Sequence, residues 1–194
     1  MSKLNIGIIL GSTRPGRKGG QVAEWVLAQA ASRSEATYEL IDLADFALPH
    51  LDEVMPASMG QYENAHTKSW ANKIAEFDGF VFVTPEYNHS TSGALKNALD
   101  FLYQEWNNKA AAFVSYGGGG GMRAVEHLRL IVGELQMADV RAQVSFSLHT
   151  DFENYTTLVP GAQHAAGIAT VFDQVESWSG ALRTVRETAV ELAA

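Results

Sequence analysis

Asn5-Ile6-Gly7-Ile8-Ile9-Leu10, running into Gly11-Ser12-Thr13-Arg14-Pro15-Gly16-Arg17-Lys18-Gly19, is the stretch that decides the fold. The first part is a continuous apolar run, not an alternating one, as expected for a strand covered by helices on both faces. Beyond the glycine- and arginine-rich turn, Val22, Trp25, Val26 and Ala30 recur at helical spacing. Strand, glycine loop and helix therefore follow one another, the opening unit of an α/β chain.

The same alternation continues outward. Tyr38–Leu43 reads as a second strand, and Ala44–Gly60, with two prolines and mixed polarity, as loop. Trp70, Ile74 and Phe77 mark a helix. Phe80–Val83 is wholly apolar and ends at Thr84-Pro85, where proline cannot donate to a ladder, so it reads as a central strand. Leu95, Leu99 and Leu102 predict a helix over Gly93–Tyr103, and Ala110–Val114 predicts the next strand. A helix over Met122–Met137, a strand over Val140–Leu148, a loop through Pro160 and a closing helix over Ala165–Leu192 complete the pattern. Five strands alternating with about five helices specify a doubly wound parallel sheet with right-handed crossovers. With 194 residues and no repeat or linker, a single domain over residues 1–194 is expected.

Composition narrows the chemistry. The chain has no cysteine, which excludes thiolate nucleophiles, Cys-ligated zinc, iron–sulfur clusters and a disulfide scaffold. Redox chemistry would need a borrowed cofactor. The net charge of −8 opposes attraction to phosphodiester backbones, so no nucleic-acid partner is expected. The first apolar segment stops at Gly11, too short for a secretion signal, and no window reaches the roughly 20 apolar residues that span a bilayer. A soluble cytoplasmic protein without a membrane partner is expected. The six histidines show no i,i+4 metal pair, and His149-Thr150-Asp151 reads as a strand end; no metal is expected. There is no G-x-S-x-G elbow for a serine hydrolase.

Ligands of such sheets bind outside the carboxyl ends of the strands, where chain order reverses. Three loops after strands are unusual there. In the first, main-chain N–H groups at a helix start favour an anion, Ser12 adds a hydroxyl, and Arg14 and Arg17 add forks suited to a terminal phosphate. Gly11 and Gly16 have Walker A spacing, but Arg17-Lys18 replaces Lys-Ser/Thr, and G-x-G-x-x-G is absent; a mononucleotide fits better than ATP hydrolysis or a dinucleotide. The second loop, Thr84-Pro85-Glu86-Tyr87-Asn88-His89-Ser90-Thr91-Ser92, offers amides, an aromatic wall and an amide side chain to a flat heteroaromatic ring. Its plain alternative is a turn with Ser90 or Ser92 capping the next helix. The third, Ser115-Tyr116 and Gly117 to Gly121, lets main chain approach a planar ligand, or is simply a flexible connector.

These motifs resemble those of the flavodoxin-like NADPH-dependent FMN reductases, which include quinone, chromate and azo-dye reductases. The matching stretches are Gly-Ser-Thr-Arg-Pro-Gly-Arg, Thr-Pro-Glu-Tyr-Asn-His-Ser with Gly-Ala-Leu-Lys-Asn-Ala-Leu-Asp, and Val-Ser-Tyr-Gly-Gly; Trp178 and Leu182 add the Trp-x-x-x-Leu pattern of the closing helix. The resemblance implies a flavodoxin-like five-stranded sheet of order 2-1-3-4-5. It implies that Ser12, Arg14, Arg17 and amides near Gly19 hold the FMN phosphate. Pro85, Glu86, Tyr87 and Asn88 would line the isoalloxazine, and Ser115, Gly117 and Gly118 would close its pyrimidine side. Hydride from NADPH or NADH would pass to FMN and on to a small-molecule acceptor such as a quinone, free flavin, azo compound or metal oxyanion. Loop amides would stabilise negative charge on the reduced ring, and Tyr87 and Tyr116 are candidates for shaping the stacking slot. The rival is a flavodoxin-like electron carrier, whose phosphate loop is rich in hydroxyls where this one is rich in arginine. Leu95, Leu99, Leu102, Tyr103 and Trp106 are numerous enough to serve an interface as well as a core, and similar proteins are dimers or tetramers, so a homodimer or homotetramer is expected.

Overall fold

The computed structural model describes residues 3–193; Met1, Ser2 and Ala194 of the expected domain lie outside the described residues. Strands β1 (Leu4–Leu10), β2 (Ala36–Asp42), β3 (Gly79–Pro85), β4 (Ala110–Gly117) and β5 (Ala138–Ser147) form a parallel sheet of order β2-β1-β3-β4-β5. This is the expected flavodoxin-like order. Between the strands run α1 (Gly19–Ala30), a single turn α2 (Leu43–Phe46), α3 (Ala65–Ala75), α4 (Gly93–Asp100) and α5 (Met122–Glu134). A hairpin, β6 (Phe152–Glu153) and β7 (Thr157–Leu158), precedes α6 (Ala162–Ala193). No helix among the described residues is long and apolar enough to cross a membrane.

Alternation along β3 builds two cores. Val81 and Val83 join Ile6, Ile8, Val22, Val26 and Phe172 under α1 and α6. Phe80 and Phe82 face the other way, into an aromatic layer with Trp70, Trp106 and Phe113 under α3, α4 and α5. Burial on both sheet faces is why the strands read as unbroken apolar runs. The indole N–H groups are satisfied by carbonyls, Trp70 by Ala98 at 2.8 Å and Trp106 by Leu99 at 3.2 Å.

Tertiary contacts moved several expected boundaries. The apolar spacing of α4 continues to Leu102, but Trp106 takes the Leu99 carbonyl and the Tyr103 N–H goes to the Tyr62 hydroxyl at 3.4 Å, so the helix stops at Asp100. Helix α5 ends three residues early because Gln136 is left-handed (φ 55°) and the Met137 N–H reaches back to the Val132 carbonyl at 2.9 Å. The loop expected over Ala44–Gly60 contains most of α2, and the hairpin was not foreseen. Gln21 of α1 holds that hairpin through both ends of its amide, donating to the Thr156 carbonyl and accepting from the Leu158 N–H, each at 2.8 Å. Leu95, Leu99, Leu102 and Trp106 are all buried within the chain's own core, so their size is no argument for an interface.

The amino-terminal edge of the sheet is closed by charge. Asp78 is buried, accepts from the Asn5 N–H at 2.9 Å, and meets Arg183 and Arg186 of α6. Burial opposes its charged form, but the Arg183 hydrogen bonds prevail and hold the carboxyl below its usual range. Beside it the buried Lys109 ammonium donates to the Ile74 carbonyl at 2.8 Å. Burial, reinforced by repulsion from Arg186, pushes Lys109 down to about 7. The unfolded chain keeps that proton up to about 10.4. Between these values the unfolded state binds the extra proton, so Lys109 makes stability rise with pH. Denaturant unfolding from pH 7 to 10 is expected to show this rise in the wild type and a flatter profile in Lys109→Met.

Candidate functional site: three loops at the β1/β3 switch point

Pairing in parallel register delivers the three unusual loops to one edge. Leu10 lies opposite Val83, Thr84 opposite Ser115, and Pro85 opposite Tyr116. Each ladder runs one bond further: Gly11 N–H to the Val83 carbonyl at 2.9 Å, Glu86 N–H to Tyr116 at 3.0 Å, and Leu148 N–H to Gly117 at 2.9 Å. The chain goes from β1 outward to β2 and then back past it to β3, which makes this the switch point where ligands bind.

The first loop rests on Tyr116. The Tyr116 hydroxyl donates to Ser12 Oγ at 3.0 Å and lies close against Gly19, with all three residues buried. Burial pushes the phenol up to about 12, so it stays protonated near neutral pH. Tyr116, a candidate for the stacking slot, instead props the loop from beneath, because strand alternation turns it toward α1 along with Val114. A Cβ on Gly19 would lie 2.6 Å from that hydroxyl and 2.7 Å from Ser12 Oγ. The space in front of α1 is thus one that a side chain would fill.

The two arginines of this loop do different things. Arg17 forks onto the Asp42 carboxylate, 2.9 Å to Oδ1, and also donates to the Ser12 carbonyl. Asp42 sits opposite Leu10 in the β1/β2 register, beside the strand end from which the loop departs. Arg14 donates through Nε to the Tyr87 hydroxyl at 3.1 Å, linking the first loop to the second, and no carboxylate pairs with it among the described residues. The start of α1 carries no acidic residue in its first turn and no side-chain cap. An unpaired guanidinium beside an uncapped helix start, with a cradle that excludes side chains, fits a phosphate.

In the second loop Tyr87 and Ser90 bond reciprocally through main chain at 2.9 and 3.2 Å, with Asn88 and His89 left-handed between them (φ 48° and 74°). Ser92 caps α4 by accepting from the Leu95 N–H at 3.0 Å. The Glu86 carboxylate is nearly enclosed and pairs with Arg123 of α5 at 2.6 Å. The third loop is tied down: Ser115 and Ser145 both donate to the Gly120 carbonyl, at 2.7 and 3.2 Å. Gly120 and Gly121 are left-handed, and a Cβ on Gly121 would lie 2.8 Å from the Tyr116 nitrogen, so glycine is required there. Gly117 accepts the Gly120 N–H at 3.1 Å, and the exposed Gly118 accepts from Ser147 Oγ at 3.3 Å. Asp42 and Arg123 were not singled out from sequence as site residues. Strand register points to the first, whereas the second has no local signal.

A family model described as NADPH-dependent FMN reductase matches residues 4–151. The chain belongs to this family. Membership makes it an oxidoreductase that takes FMN as cofactor and NAD(P)H as co-substrate. Among FMN reductase relatives, an NAD(P)H-dependent FMN reductase of Schizosaccharomyces pombe is 42% identical over 74% of this chain and 73% of its own. A quinone reductase of Escherichia coli K12 is 36% identical over 67% of this chain and 70% of its own. Among solved structures, the flavoenzyme NAD(P)H:(acceptor) oxidoreductase FerB of Paracoccus denitrificans superposes with a TM-score of 0.71 at 19% identity, covering 91% of this chain and 97% of that one. At that identity the likeness speaks for the fold alone. The family match ends at Asp151, before the hairpin and α6.

Adjacent glycines at the start of α1 give a direct check on the cradle. Gly19→Ala is expected to cost about 1–3 kcal/mol of stability, since its Cβ displaces Tyr116 or the first turn of α1. Gly20, with nothing within 4 Å of a Cβ, is the control, and Gly20→Ala should be neutral or stabilise by about 0.5 kcal/mol in the same denaturant titration.

Proposed function

We propose that this FMN reductase holds the FMN phosphate in the Ser12–Gly19 loop and the ring between the Pro85–Asn88 and Ser115–Gly118 segments. On this reading it passes electrons from NAD(P)H to a planar small molecule such as a quinone, free flavin or azo compound, or to a metal oxyanion. The observation that carries this reading is Arg14, a guanidinium without a carboxylate partner, placed between an uncapped helix start and the hydroxyl of Tyr87. When bound, FMN would supply the two-electron redox chemistry between NAD(P)H and the acceptor.

The chain's own residues bind and orient. Arg14 contributes the charge-assisted contact to the phosphate, because Arg17 is already neutralised by Asp42 and instead braces the Ser12 carbonyl. Ser12 is held close to the start of α1 by its bond from the Tyr116 hydroxyl, against which Gly19 packs without a side chain. Main-chain amides of the second and third loops supply fixed dipoles where negative charge develops on the reduced ring, at no reorganisation cost because both loops are already hydrogen-bonded in place.

Anaerobic addition of NADPH or NADH to the FMN-loaded protein is expected to bleach the oxidised flavin spectrum. A spectrum unchanged by both nucleotides would make the chain an electron carrier. Arg14→Ala should weaken FMN binding about 10- to 100-fold in a fluorescence titration; an unaltered affinity would remove Arg14 from the phosphate site.

A further inference from the structure

We propose that Arg123 is a positioning residue, which holds the Asn88–His89 turn in its left-handed form so that the second loop meets the cofactor ready-shaped. The inference rests on the functional reading above, since it takes the second loop to be part of the flavin site. Two successive left-handed residues closed by reciprocal Tyr87–Ser90 bonds make a type I′ turn. Glycine is strongly preferred at its second central position, because a Cβ crowds the main chain there. This chain places histidine at that position, with φ 74°. Something outside the turn must keep it there.

Helix α5 supplies the hold. Arg123, in its first turn, reaches the turn twice. One Nη meets Glu86 Oε1 at 2.6 Å, and the other meets His89 Nδ1 at 3.2 Å. The Arg123 N–H adds a third contact, to Glu86 Oε2 at 3.3 Å. One turn later His127 Nδ1 meets Ser90 Oγ at 2.9 Å. Residues four apart on a helix share a face, so the pair grips the loop on either side of its strained centre. Glu86 is the anchor of the arrangement: its side chain is 7% exposed, and a carboxylate so enclosed needs a fixed cationic partner. The same guanidinium lies 3.5 Å from where a Gly119 Cβ would be, so it also sets the spacing between the second and third loops.

Holding the turn has one consequence that a contact to the ligand or to Glu86 alone lacks: relieving the backbone strain must lower the cost of losing Arg123. Arg123→Gln is expected to weaken FMN binding about tenfold, and to cost less than about threefold when introduced into His89→Gly. Hydrogen exchange in ligand-free protein supplies a readout independent of the cofactor. The Tyr87 and Ser90 amides should exchange faster in Arg123→Gln and recover in the double variant, while amides of β3 stay protected in all forms. Unchanged FMN affinity and exchange in Arg123→Gln would overturn the assignment. A penalty of equal size in both backgrounds would do so too, because the strain of the turn would then not be what Arg123 offsets. Wild-type protein that takes up no FMN would sink the functional reading, while the exchange result still judges the role of Arg123 in the turn.

Discussion

Everything at the site depends on β1 lying directly beside β3. The Gly11 N–H bond to the Val83 carbonyl carries that pairing one residue past the last strand position, and a Cβ on Gly11 would lie 2.8 Å from Leu95. The first loop consequently leaves the sheet pressed against the start of α4. Its neighbour loops depart from the adjoining strands in matched register, so three segments far apart in the chain converge without any side chain drawing them together. Side chains only refine an approach that main-chain hydrogen bonds dictate.

That refinement divides the cationic groups by function. Arg17 and Arg123 are each committed to a carboxylate and stiffen a loop, whereas Arg14 is linked only to neutral oxygens. In a chain of net charge −8, Arg14 keeps a positive charge uncompensated at the edge where an anion would bind. The opposite edge shows the contrary arrangement, with two arginines on the buried Asp78 and a lysine lowered by burial. Charge closes the sheet at one end and is left open at the other.

How much of this the sequence discloses follows from where each constraint originates. Runs such as Phe80–Val83 were legible because strands buried on both faces must be apolar throughout, and the glycine loops because the main chain needs room. The role of Arg17 was not legible, since its partner depends on the register that sets Asp42 opposite Leu10. Tyr116 was misjudged for want of period-two bookkeeping: Phe113 and Ser115 fall on one side of β4, Val114 and Tyr116 on the other. The end of α4 was hidden because the Trp106 indole, seven residues further along the chain, claims the Leu99 carbonyl that local spacing assigns to the helix. The hairpin turn carries Asn154 and Tyr155 at positive φ, without the Asn-Gly pair that would announce it.

The side chain of Gln21 has a consequence for self-association. A two-residue ribbon such as β6–β7 has an outer rim of unpaired main-chain groups, the kind of template on which a second molecule can add a strand. The Gln21 amide occupies a carbonyl and an N–H along that rim, imitating one residue of a neighbouring strand. The rim is thereby closed from within the molecule by a residue of the helix that begins at the first loop, and the chain forgoes a sticky edge without adding a further strand to the sheet.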